Sequence, residues 1–182
     1  RFPAKVSHFG KVKKAGYAKV IRKPKHFRAK YPGHCVALDT VEEFLDGMRR
    51  YVVTAEDLFG RFSFAWGTAS HASEAAKQFF GIFQEVFPFE VCFVLTDNGS
   101  EWQKDFAAEL ARLAIVHYRT YPHTPKMNAH IERFNRTVVD GFESEAIAAK
   151  IESLQELNLL FEAWLERRYH LVAHGTTGQP PL

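Results

Sequence analysis

Three acids carry the chemistry that this sequence offers. Asp97 follows the apolar run Val91-Cys92-Phe93-Val94-Leu95 and opens Asp97-Asn98-Gly99-Ser100-Glu101-Trp102. Glu132 lies in Asn128-Ala129-His130-Ile131-Glu132-Arg133-Phe134-Asn135-Arg136, a stretch with helical spacing, and 34 residues stand between the two acids. Asp39 ends another strand-like run, Cys35-Val36-Ala37-Leu38. Two acids at strand ends and one on a helix can converge around divalent metal ions. Hard oxygen ligands hold Mg²⁺, and two ions can clamp the attacking and leaving oxygens of a phosphodiester.

Each acid alone has a simpler reading. A lone Asp at a strand end usually caps a turn. Asp57, in Asp57-Leu58-Phe59-Gly60-Arg61, is a rival first acid but falls in a turn and reads as structural. Glu42, Glu43 and Asp46 read as a solvated loop. Asp97 gains weight from Asn98-Gly99, which favours a tight turn with positive φ and leaves the carboxylate at the carboxyl end of a buried strand. On the helix, Asn128, Glu132 and Arg136 share a face, with Asn135 beside them. Ile131, Phe134, Val138 and Phe142 form the apolar stripe that faces a core. Asn128, Arg136 and the upstream Lys126 are of the types that touch bases or phosphates.

Elements that position these acids are legible in the periodicity. Strands are expected at Cys35–Thr40, Arg50–Ala55, Arg61–Thr68, Val91–Thr96 and Ile115–Arg119. Helices are expected at Ser73–Phe87, Trp102–Leu113, Met127–Ala149 and Leu154–Tyr169. Val20–Arg22 is a weaker strand candidate, and Thr120–Lys126 is a loop. The order β-β-β-α-β-α-β-α-α predicts an α/β fold, a mixed sheet of about five strands with helices on both faces.

Charge divides the chain. Residues 1–33 hold 11 of the 24 Lys and Arg and no acid, so the remaining 149 residues carry 13 basic and 21 acidic groups, net −8. The expected organisation is a basic arm or linker at 1–33 and a core at 34–182. Such an arm suits contact with a polyanion, and metal ions would reverse the repulsion between an acidic core and DNA. With 46% apolar residues and 17 Phe, the core is well supplied. No apolar run approaches the roughly 20 residues of a membrane span, and no signal peptide is visible. Starting at Arg1, the sequence reads as a piece of a longer protein. Cys35 and Cys92 fall in core strands and read as thiols of an intracellular protein.

Taken together, the blocks Leu38-Asp39-Thr40, Asp57-Leu58-Phe59-Gly60-Arg61-Phe62, Leu95-Thr96-Asp97-Asn98-Gly99-Ser100-Glu101 and Tyr121-Pro122-His123-Thr124-Pro125-Lys126-Met127-Asn128-Ala129-His130-Ile131-Glu132-Arg133-Phe134-Asn135-Arg136-Thr137 resemble the DDE integrase/transposase catalytic core, most of all that of bacterial insertion-sequence transposases. The resemblance runs from about Lys23 to the C-terminus. It implies an RNase H-like fold with Asp39, Asp97 and Glu132 as catalytic, metal-binding acids. Asp39 would bridge two Mg²⁺ (or Mn²⁺) ions, and water or a DNA 3′-hydroxyl would attack in line. Asn98, Lys126, Asn128, Asn135 and Arg136 would contact DNA or support the acids. The implied activity is cleavage of transposon DNA ends and their transfer to target DNA, by a homo-oligomer in the bacterial cytoplasm.

The sequence departs from the family in three places. The last two acids are one residue closer than the common spacing, Gly60 stands where Ser is common, and Tyr169-His170-Leu171-Val172-Ala173-His174 is a degraded C-terminal signature. Two other readings stay open: an inactive core that only binds DNA, and an RNase H-type nuclease acting on RNA–DNA hybrids. A transition-metal site built from His117, His123 and His130 is a third.

Overall fold

The computed structural model describes residues 20–45, 48–122, 128–175 and 177–181. Six strands and four helices follow in order: β1 (Ile21–Arg22), β2 (Cys35–Leu45), β3 (Met48–Asp57), β4 (Ser63–Thr68), α1 (Ser73–Val86), β5 (Phe93–Thr96), α2 (Lys104–Arg112), β6 (Val116–Arg119), α3 (Ala129–Ala149) and α4 (Leu154–Trp164). One sheet contains all six strands in the order β1-β6-β5-β2-β3-β4. Strands β1, β6, β5 and β2 pair in parallel, and β2, β3 and β4 form an antiparallel meander. The sheet is mixed, as the element order predicts.

Alternation along the meander decides which helix covers which face. Ala55 is opposite Phe64, and Phe64 stacks on Phe79 of α1 with centroids 5.8 Å apart. Phe79, Phe80 and Phe83 are fully buried between α1 and the sheet. Each such ring contributes roughly 1.5–3 kcal/mol through burial. On the other face Thr54 is opposite Asp39 and meets Asn135 of α3. Ile131, Phe134, Val138 and Phe142 are buried along α3, as their spacing predicts, and Phe142 stacks on Phe161 of α4 with centroids 3.8 Å apart.

α4 begins with a complete capping box, Ser153 to the Glu156 N–H and Glu156 back to Ser153. It packs across edge strand β4. There the buried Asn158 accepts from the Gly67 N–H at 2.6 Å and donates to the Gly67 carbonyl at 3.1 Å. One amide side chain thus satisfies both backbone groups, as a further strand would. Gly67 leaves room for this approach, because a Cβ there would lie 2.6 Å from Leu157 Cδ2.

Several expectations need correction. β2 does not stop at Thr40 but continues to Leu45, so Glu42 and Glu43 are paired strand residues rather than a loop. Glu42 is exposed, and the register sets it opposite Tyr51, so a charged residue is paired here and still solvated. Asp46 lies outside the described residues. The last predicted helix ends at Trp164, and Leu165–His170 follows as a wider π-helical turn. The weak candidate Val20–Arg22 is realised as β1, which adds the sixth strand. Beyond it, Phe27 packs on Phe93 at 5.6 Å and on Tyr118 at 5.4 Å, so this part of the basic segment lies against the sheet. Cys35 and Cys92 are free thiols.

Candidate active site

Asp39 sits in mid-strand, not at a strand end. It nevertheless lies two residues past Ala37, the last β2 residue paired with β5, so it faces the carboxyl end of the parallel strands. Its Oδ1 accepts the Thr40 N–H at 2.9 Å, and its Oδ2 accepts Asn135 Nδ2 at 2.8 Å. Behind Asn135, the Thr54 hydroxyl donates to Asn135 Oδ1 at 2.6 Å. Thr54 therefore fixes the orientation of the amide, and the amide fixes the carboxylate. Burial first, and then the charges of Asp97 and Glu132, push the Asp39 carboxyl up to about 6 against those two hydrogen bonds.

Asp97 follows the buried Thr96 at the end of β5 and is exposed. The turn after it is not the one that Asn98-Gly99 predicts, for neither residue takes a positive φ. Instead Asp97 Oδ1 accepts the Gly99 N–H at 2.8 Å and closes the turn with a side chain. The turn is crowded: a Cβ at Gly99 would lie 2.3 Å from Oε2 of the buried Glu101 and would displace that carboxylate. Glu101 in turn pairs with His71 at 2.9 Å. Below the turn, the Thr96 hydroxyl donates to the Asp97 carbonyl at 2.8 Å and contacts His117 Nε2 at 2.9 Å. His117 is a half-buried support, its imidazole pushed down to about 4 chiefly by desolvation, with Arg119 adding to the effect.

Glu132 lies exposed in the first turn of α3. The polar face foreseen for this helix divides. Glu132 and Arg136 are exposed, whereas Asn128 and Asn135 are buried. Asn128 Oδ1 has no hydrogen-bond partner among the described residues, and Asn135 holds Asp39. Lys126 and His123 lie outside the described residues. Thr54 gave no signal in the sequence, because a threonine in Val52-Val53-Thr54-Ala55 reads as ordinary strand.

Parallel pairing of Ala37 with Leu95 sets Asp39 beside Asp97 at the carboxyl ends of β2 and β5, and Asn135, one turn after Glu132 on α3, holds Asp39. Among the described residues, no three of His, Cys, Asp and Glu are drawn tightly enough together to hold an ion as they stand. The donor set consists of carboxylate oxygens, which fit a hard divalent ion better than a soft one.

The rival acid Asp57 is structural: Gly33 N–H donates to Oδ1 at 3.0 Å and Gly60 N–H to Oδ2 at 2.5 Å. Its neighbour Glu56 is a buried group that the sequence did not single out. Glu56 pairs with Arg61 at 3.3 Å beside a cavity of about 30 Å³ lined also by His130, Arg133, Tyr169 and His174. Burial, reinforced by Asp57, raises its carboxyl to about 7 from 4.5, with Arg61 and Arg133 opposing. The folded protein therefore keeps a proton there that the unfolded chain releases. Stability is expected to fall as pH rises from about 4.5 to about 7. Glu56→Gln should flatten that part of the profile in denaturant titrations; an unchanged difference between the two proteins across this range would refute the assignment.

No family model matches the sequence, and no curated protein matches it. Solved structures do. A chain of the simian T-cell lymphotropic virus intasome, in complex with PP2A regulatory subunit B56 gamma, aligns over 91% of this chain with a TM-score of 0.66 and 17% identity. The present chain spans 62% of the length of that one. The HTLV-2 integrase catalytic core domain, in complex with magnesium in a trimeric form, aligns over 84% of this chain and 96% of its own, with a TM-score of 0.68 and 15% identity. The fold is the RNase H-like fold of integrase cores.

Proposed function

We propose that the chain is the catalytic core of a DDE transposase or integrase, a polynucleotidyl transferase that cuts DNA ends and joins them to target DNA. The observation that carries this reading is Asp39: it stands at the carboxyl end of the parallel strands of an integrase-type sheet, under the field of both Asp97 and Glu132. Asp39, Asp97 and Glu132 would hold two divalent ions, Mg²⁺ or Mn²⁺; one structural neighbour was solved with magnesium. Bound there, such ions would lower the pKa of an attacking hydroxyl and stabilise charge on the phosphate. Asn135, braced by Thr54, keeps Asp39 turned into the site.

Arg136 and Lys126 are assigned to DNA contact around this centre, and the buried Asn128 and the hydrogen-bonded Asn98 to support of the acids. The division into a basic arm at 1–33 and a core at 34–182 is part of the proposal, the arm supplying the positive charge that the acidic core lacks. Bringing two DNA ends together calls for a homo-oligomer. No helix among the described residues is long and apolar enough to cross a membrane. A cytoplasmic, bacterial setting belongs to the same reading.

The test is a substrate comparison in Mn²⁺. Duplex DNA ends should be nicked and joined to a second duplex, while RNA–DNA hybrid is left intact. Hybrid cleavage with no joining would replace this reading with an RNase H-type nuclease. DNA binding with no cleavage of either would leave an inactive core.

A further inference from the structure

Arg22 lies outside the blocks that carry the resemblance, yet its side chain reaches the turn after Asp97. Strand β1 brings it there: Arg22 pairs with Arg119 of β6, and the next residue, Lys23, donates its N–H to the Arg119 carbonyl at 3.2 Å. The Arg22 guanidinium donates to Asn98 Oδ1 at 2.7 Å and also to the Thr120 carbonyl. Asn98 Nδ2 donates to the same Thr120 carbonyl at 3.1 Å, which closes a triangle. The guanidinium carbon stands 5.9 Å from the centroid of the Tyr121 ring. Nη1 alone serves both acceptors, and the planar guanidinium stands beside the ring at the same time.

The triangle joins two pieces of chain that matter to the site. Asn98 belongs to the turn that Asp97 closes. Thr120 and Tyr121 begin the connection from β6 towards α3, which carries Glu132. We infer that Arg22 is a positioning residue, a strut from the N-terminal segment that locks the Asp97 turn to the start of this connection. The inference rests on the proposed active site. It gives residues near 20 a part in catalysis distinct from any attraction of the arm for DNA.

Arg22→Met keeps the aliphatic stem and removes the guanidinium. Hydrogen exchange should become faster in peptides covering residues 97–100 and 120–122. Single-turnover cleavage at saturating DNA should fall by about tenfold or more, because small displacements of reacting groups are costly. The KM for DNA should stay within about twofold. Arg22→Lys should fail to restore the rate, since an ammonium is more strongly hydrated and presents no planar group to the Tyr121 ring. Arg28→Ala removes the same charge from an exposed position of the same segment and should leave exchange in those peptides unchanged.

Unchanged exchange in Arg22→Met would overturn the inference. So would a loss confined to KM that Arg22→Lys rescues, which would mark a simple phosphate contact. Asp97→Asn is assayed alongside. If it is as active as the wild type, the active-site reading itself fails; if it is inactive while Arg22→Met keeps full rate, only the strut is lost.

Discussion

Asp97→Asn is expected to lower metal-dependent DNA cleavage and strand joining by about three orders of magnitude and to leave the melting temperature nearly unchanged. The two halves of this result have separate causes. Asparagine keeps an Oδ1 that accepts the Gly99 N–H, the bond that closes the turn at 2.8 Å. Asp97 is exposed, so its replacement disturbs no packing. What disappears is one anionic oxygen ligand. Losing about 4 kcal/mol of transition-state stabilisation corresponds to the expected factor. Burst-phase cleavage assays on wild type and variant, with calorimetric melting of both, test this. Equal cleavage rates would remove Asp97 from the chemistry, whereas a collapse in melting temperature would make the residue structural.

The largest effect on stability is expected from Asn158→Ala. Asn158 is buried, and its amide completes edge strand β4 by bonding both the N–H and the carbonyl of Gly67. Truncation leaves two backbone groups without partners under α4. An unsatisfied buried group costs about 1–3 kcal/mol, so a loss of about 2–4 kcal/mol follows. For a domain of this size that lowers the melting temperature by about 5–15 °C. Where α4 loosens from β4, aggregation should also rise, because an unpaired strand is a template for another chain. Scanning calorimetry with light scattering reads both effects. A shift of only a degree or so would mean that water replaces the amide at no cost.

Much of this architecture is written in local periodicity. Phe79, Phe80 and Phe83 announce α1 by spacing alone, and Ile131, Phe134, Val138 and Phe142 do the same for α3. Strand limits were less legible. β2 runs on through Glu42 and Glu43 because its partner β3 supplies hydrogen bonds there, and a partner strand is a tertiary fact. The π-helical turn after Trp164 is set by packing, where Tyr169 is buried and meets the Ser63 hydroxyl at 3.3 Å.

At the site, the types and order of Asp39, Asp97 and Glu132 were readable, but their support was not. Thr54 stands 81 positions from Asn135, and Arg22 stands 76 from Asn98. Contacts at that separation leave no pattern in a single sequence. The Asp97 turn shows the same limit on a small scale. Asn98-Gly99 has the composition of a positive-φ turn, yet the Asp97 side chain and the crowding by Glu101 set its shape.

The most direct measurement is a crystal of this protein soaked in Mn²⁺, with the ion located by its anomalous scattering. The three-carboxylate assignment expects density bound by Asp39 and Asp97, with Glu132 turned inward to complete the coordination. Density bound elsewhere, or an Asp39 that faces away from Asp97 with no ion between them, would contradict it.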